Sequence, residues 1–315
     1  MHVNGADIVI DSAAKFHRST RLWGWFHHPK AQLLSVHLSH PQIRHAIETV
    51  GIFHGGVASL GSDKGFEVQA LLDEDVFPEG ATLTFKTTRQ DYTVQLHDLM
   101  HEALCRINQD KAHEFHNRLK ADPHIRNILD IGGRARSKFD RSKEYPGKEV
   151  TVVDILPGEN VDIVADVHEL SSVVPPDSYD AFVSVSVFEH LLMPWKVVLE
   201  LNKVLKTGGI GLVHTHQTIG MHDMPWDFWR FSDTAWDALF NAKTGFEITG
   251  TILTGPQFIL PFVYIPIKAH AERSLGFEGS TVIVRKIGPA QLEWPVKVQE
   301  LVSSMYPDTE DGTPA

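Results

Sequence analysis

Three aspartates close or follow three successive apolar runs: Asp130 in "NILDI", Asp154 in "EVTVVDI" and Asp166 in "VDIVADV". Carboxylates at strand ends can accept hydrogen bonds from the hydroxyls and amines of a ligand lying across a sheet edge. Gly132 and Gly133 follow the first acid, where glycines allow a sharp turn or a close backbone approach, although such pairs also occur in ordinary strand-to-helix loops. Asp154, about twenty residues beyond the pair, is spaced to receive ribose hydroxyls, and Asp166 suits the amino group of an adenine ring. Arg134 stands where a dinucleotide turn carries a further glycine, and a side chain there would crowd a pyrophosphate. A phosphate-free ligand with a carboxylate could instead pair with Arg134 or Arg136, and the alternative is that both arginines face solvent.

A second group of chemically capable residues follows the fourth and fifth runs. Glu189 and His190 come after "YDAFVSVSV", His214 and His216 share a face at the end of "GGIGLVHTH", and His222 and Asp223 lie in the next loop. A His or carboxylate near an acceptor hydroxyl can remove its proton, and His222 or Asp223 is the expected base. With 19 histidines in the chain, some clustering arises by chance. His214, His216, His222 and Asp223 can also be read as ligands of a divalent ion. A His-x-His pair on a strand often splits between pocket and hydrogen-bonding roles, and no metal enters the expectation. The loop continues as "MPWDFWRFS", in which Trp229 and Arg230 are candidate acceptor contacts. Trp226 and Phe228 can be explained by packing alone, and Ser232 suits the cap of the following helix.

The elements that must carry these residues read as two regions. Residues 5–96 offer short apolar or alternating runs, "ADIVID", "RLWGWF", "LLSVHL", "GIFHGGVASL", "GFEVQALL", "TLTFKTT" and "YTVQLH", which predict an antiparallel β-sandwich, with "HPQIRHAIETVG" as a loop or helical turn within it. Met100, Leu104, Ile107, Phe115 and Leu119 recur at near-helical intervals and predict one linker helix over 98–121. From 127 onward strand-like and helix-like runs alternate, the clearest helix being "MPWKVVLELNKVLK" before Gly208 and Gly209, which predicts an open, mainly parallel sheet with helices on both faces. The expected domains are a sandwich with the start of the linker helix at 1–104, an α/β domain at 105–305 and a flexible tail at 306–315.

A formal net charge of −11 opposes binding to a phosphate backbone, so no nucleic-acid partner is expected. Cys105 is the one cysteine, and the N-terminus does not read as a signal peptide, which fits a reducing, cytoplasmic setting. The longest apolar run, "FILPFVYIPI" at 258–267, holds two prolines and is too short for the ~20 residues of a membrane span. It could cover an acceptor pocket, form a satellite core or make a homo-oligomer contact.

The stretches "ILDIGG", "VTVVDILPG", "VDIVADVHELSSVVPPDSYDAFVSVSVFEHLLMPWKVVLELNKVLKTGGIGLVHTHQ" and "HDMPWDFWRFS" together resemble the class I S-adenosylmethionine-dependent methyltransferases over residues 125–287. The resemblance implies a Rossmann-like, mainly parallel seven-stranded sheet and S-adenosylmethionine as cofactor. It places Asp130, Gly132, Gly133 and Arg134 at the methionine end, Asp154 with Ile155 at the ribose, and Asp166 with Val167 at adenine, with Ser186 and Glu189 also on the cofactor side. Gly-Gly-Arg departs from the family's usual Gly-x-Gly. His190, His222 and Asp223 are the catalytic candidates, and His214, His216, Trp229 and Arg230 the acceptor-side ones. The first 100 residues resemble, more loosely, immunoglobulin-like modules attached to glycosyltransferases and methyltransferases of bacterial glycan pathways. There Trp23 and Trp25 could stack on a sugar face or take sandwich-core positions. The expected reaction is O-methylation of a small hydroxylated molecule, a sugar, glycan intermediate or secondary metabolite. The rivals are N-methylation of a small amine, or a silent scaffold that binds carbohydrate.

Overall fold

The computed structural model describes residues 1–61, 63–75, 79–107, 111–134, 140–263, 265–267 and 275–302. The C-terminal tail at 306–315 and Arg136 lie outside these residues. The chain divides into two compact units, Met1–Gln109 and Asp110–Ala315.

The first unit is antiparallel throughout. Strands β1 (His2–Val3), β2 (Ala6–Phe16), β3 (Ser19–His27), β4 (Leu33–Ser39), β5 (Ile43–Ile52), β6 (Gly65–Leu72), β7 (Thr82–Thr87) and β8 (Asp91–Gln95) form a sheet ordered β1-β2-β3-β6-β5 and a second ordered β4-β7-β8. Their inward positions share one core, including Ile8, Leu22, Phe26, Val36, Phe66, Leu83 and Phe85. Because Thr20, Leu22, Gly24 and Phe26 are the buried positions of β3, the alternation puts both Trp23 and Trp25 on the opposite, half-buried face. Neither tryptophan is a core residue. Trp23 stacks on the His54 ring at 5.7 Å and carries the Arg21 guanidinium above it.

Three local expectations are corrected. "HPQIRHAIETVG" is largely strand β5, because its Ile43, Ile47, Thr49 and Val50 fit a pleated edge paired with β6. "GIFHGGVASL" is extended only at its start, and Gly55–Leu60 turns into a 3₁₀ helix. The linker region is described as two helices, α1 (Leu96–Ile107) and α2 (Lys111–Ala121). Leu96 and Leu99 of α1 join the core of the first unit, whereas Phe115 and Leu119 of α2 join that of the second.

The second unit contains β9 (Asn127–Ile131), β10 (Glu149–Asp154), β11 (Ile163–Val164), β12 (Tyr179–Val185), α3 (Pro194–Val204), β13 (Leu205–His216), α4 (Ala235–Leu239), β14 (Phe246–Phe258) and β15 (Leu275–Lys286). The seven strands are ordered β11-β10-β9-β12-β13-β15-β14, parallel as far as β13 and antiparallel around β15. This is a Rossmann-like α/β sheet. Successive residues of the central strands supply opposite faces: Ile128, Ala181, Val183 and Leu212 pack with α2, while Leu129, Phe182 and Val213 pack with α3 and α4. Helix α3 ends at Val204, earlier than expected, because Leu205 already belongs to β13 and pairs with Tyr179.

Trp236 of α4 is fully buried, stacks on Phe231 at 4.8 Å and donates from Nε1 to Ser280 Oγ at 2.8 Å. It anchors the end of the loop that follows β13. Thr234, not the expected Ser232, stands at the N-cap of α4; Ser232 Oγ, two positions earlier, accepts from the Ala235 amide. Among the described residues no helix is long and apolar enough to cross a membrane.

Candidate active site

Strand order reverses between β9 and β12, since β9 runs on to β10 on one side and the chain returns on the other. A crevice beyond the carboxyl ends of the strands is expected at such a reversal. The register brings those ends level: Ile131 pairs with Val153 and Ser184, Asp154 with Val164, and Val185 with His214. A cavity of about 570 Å³ opens there, within the roughly 300–1,000 Å³ usual for small-ligand sites. Its lining includes Gly132, Gly133, Arg134, Arg141, Asp154, Ile155, Asp166, Val167 and Ser186, and also His190, His216, His222 and Asp223.

The two glycines have separate physical reasons. Gly132 adopts a left-handed φ of 68°, and a Cβ there would collide with the Val187 side chain. A Cβ on Gly133 would collide with the Asp130 carboxylate. Asp130 is fully buried behind this turn and accepts from Arg141 Nη1 at 2.7 Å, while its Oδ2 has no hydrogen-bond partner among the described residues. Burial pushes its pKa up to about 6, against the pull of the Arg141 guanidinium.

Asp154 keeps its side chain 12% exposed, accepts the Leu156 amide at 2.9 Å, and faces Arg134 Nε at 3.6 Å. Arg134 therefore leans on the second acid at the cavity wall and does not extend into solvent. Asp166 Oδ1 accepts both the amide and the ring Nδ1 of His168, at 2.9 and 2.6 Å. His168 in turn receives the Met193 amide on Nε2 at 3.2 Å, which leaves Nδ1 as the nitrogen that donates to Asp166. Burial alone would raise the Asp166 pKa, but the His168 hydrogen bonds outweigh it and hold the carboxyl below its ordinary value.

The opposite part of the cavity is built from a turn, a strand end and a loop. Glu189, in the 3₁₀ turn Phe188–His190, is fully buried; its main-chain oxygen accepts the amides of Phe228 and Trp229, and Thr215 Oγ1 donates to its Oε2. Its Oε1 has no hydrogen-bond partner among the described residues. His190 Nδ1 sits 2.6 Å from the Trp226 carbonyl, and the rings of His190 and His216 each stand edge-to-face with His222, at 5.1 and 5.2 Å. Arg230 forks onto both oxygens of Asp227 at 2.6 and 2.7 Å, and Asp227 Oδ2 also takes the His222 amide at 2.9 Å. The two Arg230 hydrogen bonds hold the Asp227 carboxyl far below its usual range. Ser186 and Asp223, both lining the cavity, have left-handed φ values of 55° and 47°, a local strain that non-glycine residues keep where the surroundings impose it.

The cavity thus brings together Gly132, Gly133, Arg134, Asp154, Ile155, Asp166, Val167, Ser186, His190, His216, His222 and Asp223. Asp130 and Glu189 lie buried and are not among its lining residues. His214 is also outside the lining, with Nδ1 2.7 Å from Thr281 Oγ1 and burial lowering its pKa. Trp229 and Arg230 are not lining residues either: Trp229 Nε1 donates to the Leu191 carbonyl, and Arg230 is committed to Asp227 and the Gly220 carbonyl. The described residues of the run at 258–267 contribute no lining residue, and its Leu260, Phe262 and Val263 are exposed. Sequence reasoning missed Arg141, Asp227 and His168. Arg141 follows Asp130 by eleven positions with no periodic signal, whereas Asp227 and His168 have partners close in sequence, Arg230 three positions on and Asp166 two positions back, a spacing that could have found them.

Residues 129–213 match the family model of a methyltransferase domain. No curated protein sequence matches the chain. Among solved structures, a SAM-dependent methyltransferase from Archaeoglobus fulgidus is 15% identical, covering 61% of this chain and 100% of its own, with a TM-score of 0.41. A SAM-dependent methyltransferase from Aquifex aeolicus is 12% identical, covering 56% and 92%, with a TM-score of 0.37. The [4+2]-cyclase SpnF is 15% identical, covering 57% and 81%, with a TM-score of 0.38.

Proposed function

We propose that this chain, which carries a class I S-adenosylmethionine-dependent methyltransferase domain and uses that cofactor, methylates a hydroxyl of a small acceptor, a sugar or glycan intermediate for preference. The observation that carries the reading is the composition of one cavity: Asp154 and Asp166 at strand ends on one side, His190, His216, His222 and Asp223 on the other. Bound S-adenosylmethionine supplies a methyl group on a positively charged sulfur, a leaving group for which positioning provides much of the catalysis.

The residues fit that group. Among the described residues Asp130 Oδ2 is a buried acceptor without a donor, beside a Gly133 position that a Cβ would fill, which suits the cationic methionine end. Asp154 accepts the ribose hydroxyls. Asp166 keeps Oδ2 for the adenine amino group, since both His168 bonds fall on Oδ1. Among the described residues Arg134 and Arg141 are the guanidinium groups on the cavity wall, and either can meet the methionine carboxylate. At the other side, Asp223 or His222 takes the proton of the acceptor hydroxyl.

The preference for a sugar is supported by the half-buried outer face of β3, where Trp23 and Trp25 stand side by side two residues apart. A contact between two copies through 258–267 is supported by exposed Ile259, Leu260, Phe262 and Val263; a protein that stays monomeric on concentration removes it. An acceptor screen that follows release of S-adenosylhomocysteine tests the reaction. A methyl ether on a hydroxylated acceptor is expected. A methyl group found on nitrogen would favour the amine reading, and bound cofactor with no turnover across the screen would favour a silent scaffold.

A further inference from the structure

Glu189 poses an electrostatic problem that the protein's described residues do not solve. The carboxylate is fully buried, and Oε1 has no hydrogen-bond partner among the described residues. An ionised group left so would cost several kcal/mol unless a positive charge compensated it. Among the described residues its charged neighbours within 4 Å are imidazoles, His216 Nε2 at 3.2 Å and His190 Nε2 at 3.9 Å; the Arg230 guanidinium also attracts it but is forked onto Asp227. His190 cannot donate from that nitrogen in its neutral form. Its Nδ1 faces the Trp226 carbonyl, which only accepts, so Nδ1 carries the proton and Nε2 turns a lone pair toward the carboxylate. His222 has the same bias, with Nδ1 3.3 Å from the Gly220 carbonyl and 3.5 Å from Asp227 Oδ2. His216 Nδ1 is itself buried without a hydrogen-bond partner among the described residues.

Lone pairs converging on a buried carboxylate call for a cation. We infer that Glu189, His216 and His222, with His190 alongside, bind a divalent transition-metal ion at the acceptor side of the cavity. One ligand atom from each of Glu189, His216 and His222 lies within 4.8 Å of the other two. The 3.2 Å between His216 Nε2 and Glu189 Oε1 matches the separation of about 3.3 Å between two ligands held at ~2.0 Å around a tetrahedral centre. Two or three imidazoles and a carboxylate select Zn²⁺ or its first-row neighbours over Mg²⁺ and Ca²⁺, which take oxygen sets. Since His190, His216 and His222 line the cavity, the ion would face it and leave a position for an acceptor oxygen. There it would hold the hydroxyl and ease loss of its proton: the O–H bond breaks, oxygen keeps the electron pair, and the proton passes to Asp223. His222 is then a ligand, and Asp223 becomes the base. This use of the ion rests on the methylation reading; occupancy of the site does not.

The test uses the full chain, stripped with a chelator, dialysed and titrated separately with Zn²⁺, Co²⁺ and Mg²⁺, with bound metal measured by elemental analysis and Co²⁺ geometry by its visible spectrum. One Zn²⁺ or Co²⁺ per chain and no Mg²⁺ is the expected result. Glu189→Gln, His216→Ala and His222→Ala should each weaken Zn²⁺ binding by about tenfold or more, with S-adenosylmethionine affinity unchanged in calorimetry. His222 is the least buried of the three side chains at 31% exposure, so its variant separates ligand loss from misfolding, which circular dichroism checks for all three. Substoichiometric Zn²⁺ on the wild type overturns the proposal, as does Zn²⁺ binding that none of the three variants alters. If Zn²⁺ binds and S-adenosylmethionine does not, the methylation reading fails while the metal site stands.

Discussion

At one side of the cavity the polar groups stand on strand ends held level by a parallel ladder; at the other they stand on a 3₁₀ turn and a loop stapled by the Arg230–Asp227 fork. The acids of the first side have partners that orient them, Leu156 for Asp154 and His168 for Asp166, and guanidinium groups nearby. On the second side Glu189 is wholly buried, with imidazoles as its charged neighbours within 4 Å among the described residues. The difference teaches where each half expects its ligand's charge. On the proposed reading the strand-end side takes the mixed charge and the hydroxyl and amine donors of S-adenosylmethionine, and the loop side takes a cation.

Substitutions can break that contrast, and the largest effect is expected on the loop side. Glu189→Gln should lower turnover by about a hundredfold or more if the ion activates the acceptor, yet leave S-adenosylmethionine affinity within about twofold. Steady-state assay and calorimetry on the same preparation would show this, and equal losses in both would erase the distinction between the sides. Gly133→Ala should do the reverse. Its Cβ meets the Asp130 carboxylate, an overpacking cost of about 1–3 kcal/mol that falls on cofactor affinity as roughly a tenfold to hundredfold loss.

A subtler effect comes from pH. The folded pKa of Asp130, about 6, lies above its ordinary 3.8, so below pH 6 the group is largely protonated and a poorer partner for a cation. Cofactor affinity should rise several-fold between about pH 5 and 7, measured by calorimetry in matched ionic strength. Stability of the ligand-free protein should move oppositely: this group's contribution is full below its unfolded pKa and is lost as pH rises through about 6. Asp130→Asn should flatten both profiles. The smallest effect is expected at Arg134, whose Nε stands 3.6 Å from Asp154 at a partly exposed wall; Arg134→Ala should weaken cofactor binding only about two- to fivefold.

The same contrast explains what could be read from the chain. Asp130, Asp154 and Asp166 were legible because strand periodicity sets where each run ends, and a parallel sheet brings those ends to one edge. His190, His216, His222 and Asp223 could be proposed for the same reason, and all line the cavity. Their division of labour was not legible. His214 and His216 share a strand face, but His214 is taken by Thr281 across the antiparallel β13–β15 pair, which strand periodicity does not announce. Arg230 reads as a substrate-side cation until Asp227, three positions earlier, is seen to occupy both its amino groups. Strand β5 was hidden because "RHAIE" carries helix-compatible residues, and its pairing with β6 overrides that local preference.

The account rests most on the acids at the strand ends forming the cofactor's seat, and calorimetric titration of wild type and Asp154→Ala with S-adenosylmethionine, alongside NAD, tests it directly. The prediction is one S-adenosylmethionine per wild-type chain, affinity about tenfold or more weaker in Asp154→Ala, and no NAD binding. Undiminished affinity in Asp154→Ala, or NAD binding where S-adenosylmethionine does not, would contradict it.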